Sequence, residues 1–141
     1  MSLKEIQEEI IEEFEIFEDP MEKYNYLIEI GKSLPEINEK YRNDEYVIKG
    51  CQSRVWLHAE LNEDKINFTA DGDAIIVKGL VALLVRVLSG QKPADIMNAD
   101  LYFIDSIGLK ESLSPTRANG LLAMVKQMKL YGMAYNAKMN Q

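Results

Sequence analysis

A helical period of apolar residues opens the chain, and its members are Leu3, Ile6, Ile10, Phe14 and Phe17. Ser2 and Glu5 stand three residues apart at the start of this period, which is the pattern of a capping box. Asp19-Pro20 then predicts a second helix start, and that helix runs through Ile30 before Gly31 ends the pattern. The sequence therefore predicts two N-terminal helices joined by a short turn.

The middle of the chain changes from a helical to an alternating pattern. Residues 36–45 are polar without a sustained apolar period, so we expect an irregular surface connection there. Three candidate strands follow, at residues 46–48, 53–61 and 65–70. The turn-rich run Asn62-Glu63-Asp64 between the last two is typical of an antiparallel hairpin. The pattern predicts a small antiparallel β-meander of about three strands.

The second half returns to helical patterns. A helix is predicted over residues 74–89, capped by residues 71–73 and ended by Gly90. It is apolar on nearly every face, but it is too short to span a membrane, so we expect a buried core helix. Short helices are predicted from Lys92 through Ile96 and over 101–109, and a long one from Pro115 to about Ala137, with Ser114 as its cap. These elements predict an α+β fold in a single domain over residues 1–141, with helices flanking the meander at both chain ends.

Composition narrows the range of functions. The chain has 141 residues and a formal net charge of -7, which argues against nucleic acid or an anionic membrane as its partner. Its first ten residues, MSLKEIQEEI, lack the features of a secretory signal, so we expect a cytoplasmic protein. The single cysteine cannot form an intramolecular disulfide, and by itself it cannot supply the cysteine ligands of a structural zinc site or an iron–sulfur cluster.

Cys51 is the residue with the clearest chemical potential. Gly50 precedes it, and candidate strands lie on both sides, so we expect it in a bend. Lys49 and Arg54 place positive charge nearby, which favours the thiolate over the thiol. A lone cysteine can equally be a small buried apolar residue. The local residues leave both interpretations open.

Three further residues stand out from the pattern. His58 is seven positions after Cys51, which directs the two side chains to opposite faces of a strand, so we expect a solvent-facing or cross-strand residue and not a catalytic base. Trp56 is out of phase with Val55, and we expect it to anchor the terminal helices. Arg117 falls in the first turn of the last helix, where a cation opposes the helix dipole. It either makes another contact or is an exposed arginine tolerated at small cost.

Several motifs together resemble one family. They are EKYNYLIEIGKSLP at 22–35, GCQSRVW at 50–56, ADGDAIIVKGLVALL at 70–84 and LSPTRANGLLAM at 113–124. Their order and spacing are similar to those of the SufE family of sulfur-acceptor proteins. The resemblance implies a SufE/IscU-like fold and a protein without a cofactor of its own. Its implied partners are a pyridoxal-phosphate-dependent cysteine desulfurase of the SufS type and the scaffold proteins of iron–sulfur cluster assembly.

The resemblance also implies roles for single residues. Cys51 aligns with the acceptor cysteine, which takes persulfide sulfur from the desulfurase, stimulates that enzyme and passes the sulfur on. Arg117 matches the arginine of an SPxR segment that stabilises the loop or contacts the desulfurase. Gly72 and Asp73 match a GDxDA-like turn beside the loop, although here the sequence is ADGDA. The expected loop-shaping residues are Gly50, Gln52 and Ser53.

Sulfur exchange needs an accessible thiolate more than an internal base. A chain with one cysteine also lacks a resolving thiol that would discharge a carried persulfide. We expect Cys51 to pack against Val47, Ile48 and Val55 in the free protein and to turn outward on the desulfurase.

The alternatives are an IscU-like cluster scaffold, which normally needs several cysteine ligands, and an interaction domain with an inert Cys51. The protein is expected as a monomer or a homodimer.

Overall fold

A computed structural model describes residues 1–49, 54–108, 113 and 115–140, without the side chains of Pro115 and Thr116. Helices flank a two-stranded antiparallel sheet within this part of the chain, which confirms the predicted α+β class. The elements in chain order are α1 (Leu3–Glu15), α2 (Pro20–Lys32), a 3-10 turn (Glu39–Tyr41), β1 (Val55–Asn62), β2 (Lys65–Gly72), α3 (Ile75–Leu88), α4 (Pro93–Met97), α5 (Phe103–Ser106) and α6 (Pro115–Met139).

The two N-terminal helices begin where the sequence predicts. Ser2 and Glu5 form the reciprocal capping box of α1, with Ser2 Oγ accepting from Glu5 N–H at 3.2 Å. The Asp19 side chain caps α2 by accepting from Met21 N–H at 2.9 Å, and Pro20 occupies the first helical position. Both starts therefore follow from local side-chain chemistry.

The sheet pairs β1 with β2 in a continuous register from Val55–Gly72 to Asn62–Lys65. The predicted first strand, residues 46–48, is reduced to an isolated bridge between Val47 and Trp56. Its pairing does not extend further back because residues 42–46 lie in bends and turns. A second bridge, between Ile66 and Gln91, borders the other edge of the sheet. Hence, within the described residues, a single bridge flanks each of the two strands.

Helix α3 forms the centre of the core, as predicted. It packs against α2, β2, α1 and α6. No helix of the described chain is both long and apolar enough to cross a membrane. Gly90 ends the helix region with a φ of +83°, a backbone conformation that glycine adopts without strain. The largest fully buried side chains of the core include Phe14, Phe103, Ile10, Leu27, Ile66 and Leu83.

Close approach between helices depends on two facing glycines. A Cβ on Gly79 of α3 would lie 2.4 Å from the carbonyl oxygen of Leu27 in α2. A Cβ on Gly31 would lie 2.7 Å from the backbone nitrogen of Gly79. Both distances are shorter than real carbon contacts, so α2 and α3 can pack this closely only with glycine at these positions.

A cation on α3 ties this helix to α1. Arg86 donates to Glu13 Oε1 at 3.0 Å and to Glu9 Oε1 at 2.9 Å. Hydrogen bonding to Arg86 is the largest cause that lowers the pKa of Glu13, and it outweighs the opposing effect of burial. These partly exposed ion pairs join α1 to α3 and include no residue of the sheet.

Candidate functional site

Cys51 and three of its predicted neighbours, Gly50, Gln52 and Ser53, lie outside the described residues. The prediction that Cys51 is packed in the free protein therefore stays a prediction. The candidate site is defined instead by the residues that flank this segment on both sides and by the contacts that those residues make.

The two ends of the cysteine segment are held side by side. Ile48 N–H donates to the carbonyl oxygen of Val55 at 2.8 Å, and Leu57 N–H donates to that of Tyr46 at 2.9 Å. The chain thus leaves the sheet after Ile48 and returns to it at Val55. Six residues, 49–54, connect these two points in the sequence, and Cys51 is among them. The predicted bend at Cys51 falls outside the described residues and stays a prediction.

Asp73 anchors the returning end of this connection. Its Oδ1 accepts from Arg54 N–H at 3.1 Å, and its own N–H donates to the Arg54 carbonyl oxygen at 3.1 Å. The sequence predicted that residues 71–73 would cap α3, and this is wrong. The N-cap residue is Ala74, which has no side-chain cap, because the Asp73 carboxylate is directed to the Arg54 backbone.

Asp71 is a buried carboxylate two residues before this anchor. Only 3% of its side chain is exposed. Its Oδ2 accepts from Arg42, while its Oδ1 accepts from Gly72 N–H at 2.8 Å and lies 3.5 Å from Lys78 Nζ. Burial raises the pKa of Asp71, but the Arg42 and Gly72 hydrogen bonds and the nearby Lys78 charge together lower it below the usual value. The carboxylate is therefore kept ionised inside the protein.

Trp56 lies on the sheet beside this ion pair. The Arg42 guanidinium carbon is 4.8 Å from the centre of the Trp56 ring, a cation–π distance. Trp56 is buried but is not a member of the central apolar cluster. The structure gives Trp56 the partner Arg42, on the face of β1 opposite to Val55. The expected contact with the terminal helices stays a prediction.

His58 is half-buried in an aromatic group. Its ring stacks on Tyr41 with centroids 3.6 Å apart and meets the edge of Tyr46 at 5.6 Å. Its cross-strand partner is Thr69, which agrees with the expected cross-strand position. Burial is the main cause that lowers the pKa of His58, and its Nε2 has no hydrogen-bond partner among the described residues. The neutral imidazole holds the 3-10 turn against β1.

Arg117 lies in the first turn of α6 and reaches α2. Its Nη1 donates to the Tyr24 hydroxyl at 2.9 Å. The preceding residue of α2, Lys23, donates to the Ile107 carbonyl oxygen at 3.3 Å. The start of α2 thus contacts the chain on both sides of residues 109–112, which, like the predicted cap Ser114, lie outside the described part. The Tyr24 contact offsets the unfavourable position of a cation in the first turn of α6.

Sequence reasoning missed Arg42 and Lys78 as the two cationic partners of Asp71. Arg42 stands in a polar stretch, and its ion-pair partner Asp71 is 29 positions away. A signal was available in Asp71 itself, because an acidic residue at the end of an apolar strand needs a buried partner. Lys78, on an otherwise apolar helix, is the second cation that this carboxylate attracts.

Comparison with known proteins identifies the family. The family profile SufE, described as an Fe-S metabolism associated domain, matches residues 8–131. The chain belongs to the SufE family. An uncharacterized SufE-like protein of Rhizobium etli is 42% identical over 127 residues, which cover 86% of each chain. A SufE-like protein of Arabidopsis thaliana, named chloroplastic/mitochondrial, is 38% identical over 123 residues, which are 86% of this chain and 33% of the plant protein.

A solved structure has a similar fold. The solution structure of a hypothetical protein from Thermus thermophilus covers 92% of this chain with a TM-score of 0.75, and 94% of that protein is matched. Its sequence identity is 21%, so the likeness concerns the fold. Membership of the SufE family places the protein in iron–sulfur metabolism.

Proposed function

We propose that this SufE-family protein accepts persulfide sulfur from a pyridoxal-phosphate-dependent cysteine desulfurase of the SufS type onto Cys51. It stimulates the desulfurase and delivers the sulfur to scaffold proteins of iron–sulfur cluster assembly. It works in the cytoplasm, where free thiols stay reduced. The observation that carries the proposal is the pairing of Ile48 with Val55, since it holds both ends of the segment that contains the only cysteine.

The proposed reaction is an exchange between two sulfur centres. The Cys51 thiolate attacks the outer sulfur of the desulfurase cysteine persulfide, so a new S–S bond forms on Cys51 and the old S–S bond breaks. The desulfurase cysteine leaves as a thiolate. One sulfur atom changes carrier without net oxidation, and no further reactant is consumed.

Charge near the cysteine segment supports this chemistry. Arg54 and Lys49 flank the segment directly, and nearby cations favour the thiolate that must attack. The Arg54 guanidinium is largely exposed, and its ion-pair partner among the described residues, Asp44, is 3.7 Å away in an almost fully exposed position. Such a surface pair contributes little, so the Arg54 charge stays available to the segment.

Stimulation of a desulfurase tests the proposal. The wild-type protein should raise the rate at which a SufS-type desulfurase releases alanine from cysteine, because a second thiol removes the enzyme-bound sulfur. Cys51→Ser should bind the same enzyme but give no stimulation. If Cys51→Ser stimulated the enzyme as well as the wild type, the interpretation of Cys51 as sulfur acceptor would fail.

A further inference from the structure

Three parts of the chain meet at the Arg42 side chain. Arg42 follows the 3-10 turn, Asp71 lies in β2, and Trp56 lies in β1 directly opposite Asp71 in the strand register. The guanidinium donates to Asp71 and covers the Trp56 ring at 4.8 Å. The contact therefore joins the chain before the Cys51 segment to β1, which follows the segment, and to β2, which pairs with β1.

The same three parts hold the ends of the cysteine connection. Trp56 bridges with Val47, one residue before Ile48, which donates to Val55. Asp73 accepts a hydrogen bond from the backbone N–H of Arg54. Val55, which holds one end of the segment, is one position before Trp56. Asp73, which holds the other end, is two positions after Asp71. Both Arg42 partners are thus close in sequence to the residues that hold the segment.

This cluster is costly as a purely stabilising device. Trp56 Nε1 is buried without a hydrogen-bond partner in the described part of the chain, and it loses hydration on folding. Arg42 Nε also makes no hydrogen bond there, and its ion-pair partner Glu39, 3.5 Å away, is an exposed side chain. The Asp71 carboxylate is buried while 26% of the Arg42 side chain is exposed, and their attraction must first offset the cost of removing the Asp71 charge from water. The arrangement is better explained by what it orients than by the stability that it contributes.

We propose that Arg42 is a positioning residue for sulfur transfer, acting through Asp71 and Trp56 on the backbone at both ends of the Cys51 segment. The inference rests on the proposed function, because it concerns the geometry in which Cys51 meets the donor persulfide. Small errors in the placement of a reacting atom lower a rate strongly even when binding is unchanged. Arg42 should therefore affect the rate of transfer within the complex more than the formation of the complex.

The test is single-turnover transfer from a desulfurase that already carries its persulfide, measured at increasing concentrations of the carrier. Arg42→Met should lower the maximal rate by about tenfold, as expected for a misplaced nucleophile, while the half-saturating concentration stays within about twofold. Asp71→Asn should give a similar loss. The double variant should lose no more than either single variant, because both substitutions break one unit.

Arg86→Met is the matched control. Arg86 also bridges carboxylates and is about equally exposed, with 33% of its side chain accessible against 26% for Arg42, but its partners lie on α1. It should leave the maximal transfer rate unchanged at a temperature where unfolding curves show each variant to be folded. If Arg42→Met fails to fold, Arg42→Lys serves instead, since lysine keeps the charge but loses the planar fork and the stacking on Trp56.

An unchanged maximal rate in Arg42→Met, a loss confined to the half-saturating concentration, or an equal loss in Arg86→Met would each overturn the inference. Alkylation of Cys51 by iodoacetamide separates this failure from failure of the proposed function. The wild-type protein without any desulfurase should be alkylated at least about threefold more slowly than Arg42→Met, because the pairing restrains the segment. If the wild type takes no sulfur but this difference is found, the proposed function fails, while the restraint that Arg42 exerts on the ends of the segment is still shown. If the wild type takes sulfur and neither the rate nor the alkylation differs, the role of Arg42 fails and the proposed function stands.

Discussion

At the scale of single residues, His58 makes stability depend on pH. It is stacked on Tyr41 and buried at Nε2, so its pKa in the folded protein lies below the ordinary value of 6.5. The unfolded chain then binds a proton at a higher pH than the folded chain does. The stability that the neutral ring provides is complete above the unfolded pKa and is lost as pH falls through the window between the two pKa values.

Urea unfolding of the wild type and of His58→Phe measures this effect. Phenylalanine keeps an aromatic ring against Tyr41 but cannot titrate. Between about pH 7.5 and about pH 5.5, which span the ordinary pKa of histidine, the wild type should lose more unfolding free energy than the variant. The two proteins share every other titratable group, so the comparison isolates the contribution of the His58 ring together with its charge interaction with Glu60. Equal losses in the two proteins would show that His58 is not kept neutral by folding.

Residue chemistry was only partly predictable from the sequence. Cys51 could be singled out because it is the only cysteine, and Arg117 because its charge is unfavourable at a helix start. Arg42 could not, because its role comes from a carboxylate 29 positions away. Asp73 was identified as important but with the wrong partner, since the same carboxylate can cap a helix or bind a neighbouring strand end.

At the scale of elements, the crossing of α2 and α3 is the most sensitive packing contact. Gly79→Ala would gain about 1 kcal/mol of helix propensity, but its Cβ would lie 2.4 Å from a backbone oxygen of Leu27 that cannot move independently. We expect a net loss of at least about 2 kcal/mol of unfolding free energy, because the helices must separate. Thermal or urea unfolding measures it.

Gly72→Ala is the comparison for this variant. A Cβ at Gly72 would meet Val77 Cγ1 at 3.1 Å, and that atom is the end of a side chain that can adjust. Its loss of stability should be clearly smaller than that of Gly79→Ala. Similar losses in the two variants would argue against backbone contact as the reason for glycine at position 79.

Element boundaries followed the sequence where a local signal marks them. Ser2, Asp19 and the prolines at helix starts predicted α1, α2 and α4 because capping involves neighbours along the chain. The strand predicted at 46–48 became a single bridge, because its length is limited by the turns before it and not by its own residues. Strand pairing depends on distant residues, which a local pattern does not contain.

At the scale of the whole molecule, the fold brings the ends of the cysteine segment to one end of the β1–β2 pair. Ile48 pairs with Val55 across the segment, and Asp73 reaches Arg54 from 19 positions further along the chain. The overall class was predictable because it follows from element order. The contacts that hold the site were not, because they form only when the elements pack.

The central claim is that Cys51 carries sulfur, and intact mass measures this most directly. The protein is incubated with a SufS-type desulfurase and free cysteine, separated without reductant and weighed by mass spectrometry. The wild type should gain one sulfur atom, and reductant should remove it, while Cys51→Ser should gain none. No gain by the wild type beside a desulfurase that itself carries a persulfide, or an equal gain by Cys51→Ser, would contradict the account.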